Sequence, residues 1–365
     1  MAEKTDAKAD PKADIRQGIK DEVARALAEG KAKYVVAYER APGGLRARPA
    51  FIRKAEDASR IVWDPTCFHN LVRFVVDEKR RRAREKTPDT RPIGLVVKGC
   101  DSRALNVLLQ EKFIERGDVY VIGVSCEEGG VVDEKKLAEK LGGKPVRSIE
   151  FKDGGRIAVT TADGETTEIA AAEVVADRCI ECRADVPVIH DVLIGKAAPK
   201  DAAGKDLRRK VEHPYKSIEK AEALPRDERW AFWREQLGKC IRCYACRSVC
   251  PMCYCEECVA DTINFAVKAD TTADEKAQKI KWVEKSPVTS ENFTYHLVRA
   301  IHLAGRCIDC GECERVCPVG IPLRLLNKKI EKEARELFGY EAGFDAEAAA
   351  LIASFLDQDP QGFIR

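Results

Sequence analysis

Cys240-Ile241-Arg242-Cys243-Tyr244-Ala245-Cys246-Arg247-Ser248-Val249-Cys250-Pro251, and later Cys307-Ile308-Asp309-Cys310-Gly311-Glu312-Cys313-Glu314-Arg315-Val316-Cys317-Pro318, decide how this chain is read. Both stretches follow Cys-x2-Cys-x2-Cys-x3-Cys-Pro, and together they hold eight of the 16 cysteines. Three thiolates at this spacing wrap one iron-sulfur cluster, because a turn at every third residue brings successive sulfurs onto one concave surface. The fourth, before proline, leaves that turn and in two-cluster ferredoxins ligates the other cluster. The expected assignment is one [4Fe-4S] cluster on Cys240, Cys243, Cys246 and Cys317, and a second on Cys307, Cys310, Cys313 and Cys250.

Two simpler readings compete. A disulfide framework belongs to small secreted domains, and this chain of 365 residues is far longer and opens with no export signal. Paired Cys-x2-Cys units also make tetrahedral zinc sites, but zinc has no use for a third cysteine at the next x2 step and a fourth before proline.

Working outward, length and composition allow two or three domains with real cores. Lysine and arginine (63) nearly balance aspartate and glutamate (61), so no global basic field argues for nucleic acid. No stretch approaches the run of apolar residues that a membrane span requires. Residues 1–14 are charged without an apolar core and read as a disordered lead. Reduced thiols and iron-sulfur ligation fit an anaerobic cytoplasm.

The first half reads as α/β. Ile15, Ile19, Val23 and Leu27 fall at helical spacing, with Gly30 as a stop. A strand over 34–38 and a helix over 67–85 lead to the apolar run 93–97, typical of a strand buried on both faces. A helix over 102–111 and a strand over 119–124 complete a strand-helix-strand unit, the grammar of a mostly parallel sheet. Between 145 and 176 the turn signals Asp153-Gly154 and Asp163-Gly164 predict a small antiparallel appendage. The expected organisation is an α/β domain over 15–195, a lysine- and proline-dotted linker over 196–228, a mainly helical dicluster ferredoxin-like domain over 229–340, and a helix or tail over 341–365. Trp230 and Trp233 read as the docking side of the helical domain.

Cys100 and Cys126 end adjacent strands of the expected sheet, and Cys179 and Cys182 follow the hairpins as Cys-x2-Cys. Strand ends at one edge of a parallel sheet converge where such sheets bind ligands. These four cysteines are candidates for a third [4Fe-4S] cluster, against the plainer reading of two buried thiols and a small redox or metal pair. The turn Lys98-Gly99-Cys100-Asp101-Ser102-Arg103 lies between a strand and a helix. Lys98, Gly99, Asp101, Ser102 and Arg103 are therefore candidates to hold an anion such as a cofactor diphosphate, although no Gly-x-Gly-x-x-Gly occurs and Ser102 also reads as a helix cap.

Residues 90–195 resemble the coenzyme F420 hydrogenase/dehydrogenase beta-subunit family, which includes formate dehydrogenase beta subunits. That family has a cysteine after a strand, matched by Lys98-Gly99-Cys100, a second after the next strand, matched by Cys126, and a Cys-x2-Cys followed by Asp-x3-Gly, matched by Cys179, Cys182, Asp191 and Gly195. Gly99 stands where the family favours proline, and Asp185 sits one place later than the family's aspartate. The resemblance implies a flavoprotein carrying FAD and a [4Fe-4S] cluster, F420- or NAD(P)-linked, passing electrons between a two-electron carrier and a one-electron chain.

Cys253, Cys255 and Cys258 remain. With Cys67 they number four, enough for another cluster or a zinc site if the fold brings them together; the alternatives are packing around the clusters or a different choice of ligand. The reading is an iron-sulfur electron-transfer subunit with a flavin, partnered by a catalytic formate dehydrogenase, hydrogenase or heterodisulfide-reductase-like subunit. The alternative is a flavin-free relay and docking module.

Overall fold

The computed structural model describes residues 11–42, 45–126, 130–152, 154–202, 206–256, 258–260, 272, 283, 286–355 and 357–358, apart from the side chains of 11–14. The chain divides into two compact units, Met1–Pro214 with Phe344–Ala346, and Tyr215–Gly343 with Glu347–Arg365. The expectation of an α/β half and a mainly helical cysteine-rich half holds.

In the first unit, helix α1 (Pro11–Ala28) precedes β1 (Val35–Arg40) and β2 (Ala47–Ile52); α2 (Arg73–Arg82) leads to β3 (Ile93–Val97), α3 (Gly99–Gln110) and β4 (Val119–Val124). A three-residue strand, β8 (Val192–Ile194), completes a five-stranded sheet of order β2-β1-β3-β4-β8. Only the β1–β2 pair is antiparallel; β1–β3, β3–β4 and β4–β8 are parallel. Every residue of β3 is buried, as its apolar run predicts. Ile19 and Val23 of α1 cover one face with Val35, Ile52, Val96, Ile122 and Val124. The appendage is a separate antiparallel sheet of β5 (Val146–Lys152), β6 (Arg156–Thr161) and β7 (Thr166–Ala170). Gly154 and Gly164, both in the left-handed region, make its turns. Between β7 and β8 lie two short helices, α5 (Ala171–Val174) and α6 (Asp177–Ile180), with α4 (Glu134–Lys140) earlier in the chain.

Three elements differ from expectation. The helix expected over 67–85 spans only Arg73–Arg82, because side chains claim the backbone before it: Asp64 Oδ1 accepts from Thr66 N at 2.7 Å and Asn70 Oδ1 accepts from Val72 N at 3.0 Å. The antiparallel partner β2 went unread because Pro49 interrupts it, which is tolerable on an edge strand. The helix expected from 15 begins at Pro11.

In the second unit, α7 (Lys216–Ala223) and α8 (Arg226–Gly238) precede the first cysteine motif, so the stretch 196–228 is not continuous coil. Short α9 (Ala245–Ser248) follows that motif's turn, α10 (Thr289–His302) precedes the second motif, and α11 (Glu312–Arg315) and α12 (Leu323–Phe338) follow it. Much of the connection from Cys250 to Cys307 lies outside the described residues. Leu237, Cys246, Tyr295, Ile321 and Leu323 form the core. Trp230 stacks on Phe293 of the same unit at 4.9 Å between ring centroids. No helix among the described residues is long and apolar enough to cross a membrane.

Candidate functional site

The two cysteine motifs have the same backbone. In the first, Arg242 (φ 58°) and Tyr244 (φ 59°) are left-handed; in the second, the equivalent Asp309 (φ 55°) and Gly311 (φ 68°) are. Three of these four carry side chains, for which this conformation costs on the order of 1–2 kcal/mol each. Strain kept at matching positions turns successive amides toward one concavity, the geometry of an anion-binding nest. Arg242 N donates to Cys240 Sγ at 3.4 Å, and the amide of Asp309 makes the same bond to Cys307. Each third cysteine also accepts from a side chain: Cys246 from Arg299 Nη1 at 3.2 Å, Cys313 from Asn327 Nδ2 at 3.7 Å.

One cavity is lined by Cys250, Cys307, Cys310 and Cys313 together. Cys250 is thus drawn to the second motif despite belonging to the first. The fourth cysteine of the second motif, Cys317, packs on the core cluster that contains Cys246, as do Cys240 and, from its own motif, Cys313. Burial pushes the thiols of Cys307 and Cys313 up, Cys307 to about 12, and a hydrogen bond with Cys253 together with burial raises Cys250, so as thiolates they need positive charge beside them. Iron supplies such charge, and the donor set fits a cluster. Among the described residues no three His, Cys, Asp or Glu side chains close on a single ion. A [4Fe-4S] cluster asks something different, four thiolates spread around a cube.

Charge differs between the loops. Asp309, in the place of Arg242, is buried and bound by Arg324 at 2.7 and 2.8 Å and by Lys328 at 3.0 Å. Burial raises its carboxyl, but the two cations outweigh that and hold it at about 2. Tyr244 stacks edge-on against Tyr295 at 5.5 Å.

In the first unit four further cysteines, Cys100, Cys126, Cys179 and Cys182, come near one another. Parallel register pairs Val97 with Gly123, so Cys100, in the first turn of α3, and Cys126 stand beyond the same sheet edge. Cys100 lies within electrostatic reach of Cys126 and Cys182, and Cys126 of Cys182 and Cys179. Burial drives Cys100 and Cys126 up, the latter to about 12, despite a bond from the Gly99 amide. Val131 N donates to Cys179 Sγ at 3.4 Å and Ala184 N to Cys182 Sγ at 3.3 Å. Two glycines allow the approach. A Cβ on Gly99 would stand 1.7 Å from Ala184 O, and one on Gly130 2.6 Å from Cys179 Sγ. The Asp-x3-Gly match also has a structural part: Asp191 accepts from Val121 N and from Arg116, both at 2.7 Å, pinning the start of β8, and left-handed Gly195 ends it.

The turn 98–103 is largely satisfied from within. Lys98 Nζ, which has three donors, meets the Tyr38 hydroxyl, His69 O at 2.9 Å and Asp101 Oδ2 at 3.0 Å. Asp101 caps the helix by accepting from Lys98 N at 2.9 Å. Ser102 Oγ donates to Gly99 O and accepts from Val188 N, and Arg103 packs over the Phe344 ring at 4.3 Å. Of this set only Lys98 lines the neighbouring cavity, whose wall also includes Trp63, Cys67, Ser125, Cys126, Val131 and Phe151. Cys67 therefore lies in the first unit beside Asp64, and Cys253, Cys255 and Cys258 lie in the second. Sequence reasoning missed Arg299, His296 and Asn292, a buried polar stripe at helical spacing on α10; apolar periodicity does not register such a stripe.

Residues 235–321 match the family model of the 4Fe-4S dicluster domain. The F420-dependent formate dehydrogenase subunit beta of Methanocaldococcus jannaschii is 24% identical over 85% of this chain and 87% of its own length. The F420-dependent formate dehydrogenase 1 subunit beta of Methanococcus maripaludis is 27% identical over 89% of this chain and 90% of its own. A chain of the F420-reducing [NiFe] hydrogenase complex from Methanosarcina barkeri aligns over 58% of this chain and 76% of that one at 15% identity, with a TM-score of 0.35. The resemblance read from the cysteine pattern therefore holds, and it extends over most of the chain.

Proposed function

We propose that this chain is an iron-sulfur electron-transfer subunit of an F420-dependent formate dehydrogenase or hydrogenase-like complex, working in the cytoplasm beside a catalytic partner subunit. One cluster is held by Cys240, Cys243, Cys246 and Cys317, a second by Cys307, Cys310, Cys313 and Cys250, and a third by Cys100, Cys126, Cys179 and Cys182. The observation that carries this reading is the cavity where Cys250 joins Cys307, Cys310 and Cys313, the crossed arrangement expected of a two-cluster ferredoxin. Relatives that align along nearly the whole chain carry the matching name.

The flavin is proposed to lie beside Cys126, where Trp63 and Phe151 line a small cavity together with Lys98 and Ser125. A flavin there supplies exchange between two-electron and one-electron carriers. The chain's own residues position the group and exclude water; none need act as a general acid or base. The flavin-free relay is the second reading, favoured by one observation: Lys98, Asp101 and Ser102 already satisfy one another or nearby backbone.

The test is anaerobic mixing of the purified chain with reduced coenzyme F420, and separately with NADH, followed by low-temperature EPR. Reduced-cluster signals with F420 alone support the proposal. Signals with neither, from a protein whose clusters dithionite does reduce, make the chain a flavin-free relay.

A further inference from the structure

Arg299 of α10 is 5% exposed, and among the described residues no carboxylate pairs with it. Its Nη1 donates to Cys246 Sγ at 3.2 Å, its Nη2 to Cys246 O at 3.2 Å, and Nη2 also stands 3.9 Å from Cys253 Sγ. The same side chain lines the cavity shared by Cys250, Cys307, Cys310 and Cys313. Beside it, His296 is 2% exposed and among the described residues has no hydrogen-bond partner on either ring nitrogen; an imidazole is neutral or cationic, so it brings no counter-charge. A buried guanidinium without a compensating anion is costly. Among the described residues the groups of negative character in reach are three sulfurs, Cys246 on one side and Cys253 and Cys250 on the other, and the Tyr295 ring, 5.8 Å from the guanidinium.

We propose that Arg299 is an electrostatic bridge between the two cluster sites of the second unit, raising the reduction potentials of both. The inference rests on the dicluster assignment above. Each cluster accepts one electron and no proton, and so becomes more negative by one charge. A fixed cation bonded to a ligand thiolate of one cluster and bordering the cavity of the other stabilises that added charge in both. Hydrogen bonds to ligand sulfurs and local charge are established determinants of cluster potential. Arg299 is thus a positioning and tuning residue, with one guanidinium serving two centres.

The test is an EPR-monitored redox titration of the anaerobically purified full chain and of Arg299→Gln and Arg299→Lys, with iron counted on every sample. Cys243→Ser and Cys310→Ser assign the waves. If the parent chain lacks the irons of two clusters, the dicluster reading itself fails before any variant is considered. With the irons present, Arg299→Gln is expected to make both clusters about tenfold harder to reduce, a fall of about 59 mV for a one-electron couple. Arg299→Lys, which keeps the charge, is expected to recover most of that. Unchanged potentials in the Gln variant, or a shift in only one cluster, would overturn the bridge. Should Arg299→Gln fail to retain iron, the Lys variant decides. Near-parental potentials uphold the proposal; a tenfold change with iron intact, or loss of iron there too, overturns it.

Discussion

At the scale of single residues, close approach selects the side chains around the cysteines. Gly99 stands where the resembling family favours proline, and the packing supplies the reason: Ala184 O occupies the place a Cβ would need. Gly99→Ala must push the 182–185 loop away from Cys100 and Cys126, so we expect the purified variant to lose about four irons, one cluster's worth, while the clusters of the second unit remain. Full iron retention would separate Gly99 from the site. The cysteines were legible because their spacing is itself the chemistry. Arg299 was not, since its role depends on three sulfurs that meet it only after folding, and nothing in the local pattern around 292–299 distinguishes it from a solvated helix face.

At the scale of elements, the proposed ligation has each ferredoxin loop supply three cysteines to one site and send its fourth across. Cys317→Ser should therefore damage the cluster of the 240–246 loop and Cys250→Ser that of the 307–313 loop. The cluster that survives in Cys317→Ser is expected to share its EPR spectrum with the one surviving in Cys240→Ala. A match to Cys307→Ala instead would mean uncrossed ligation. The strand-helix-strand core was legible because β3 and β4 are continuous apolar runs, and both were read to the residue. The edges were not. Three residues of β8 carry no periodicity, and hydrogen bonds from Arg116 and Val121 to Asp191 help to pin its start.

Helix α2 carries a separate test. Its Glu78 is buried against Lys33, Tyr34, Arg81 and Arg82. Burial raises the carboxyl, but the three cations together with Tyr34 outweigh it and hold Glu78 at about 2, against 4.5 ordinarily. A depressed carboxylate gives stability that is full above the unfolded value and lost as pH falls from about 4.5 toward 2, on the order of 3 kcal/mol in all. Glu78→Gln should lower the denaturation midpoint of the first unit at pH 7, and the deficit should shrink as pH falls through that window. A deficit constant with pH would assign the effect to packing.

At the scale of the whole molecule, the chain joins an α/β unit whose sheet edge gathers four thiols to a helical unit built around two ferredoxin loops. The two-part architecture was legible from cysteine spacing and apolar runs. The state of the 98–103 turn was not, because a strand-to-helix turn rich in charge looks the same in sequence whether it faces a cofactor or closes on its own partners. The most direct measurement of the central claim is iron, acid-labile sulfide and flavin quantified on one anaerobically purified sample. The account predicts about twelve irons, twelve sulfides and one flavin per chain, as three [4Fe-4S] clusters and one FAD require. About eight irons and no flavin would contradict it, leaving two ferredoxin clusters on an α/β docking scaffold.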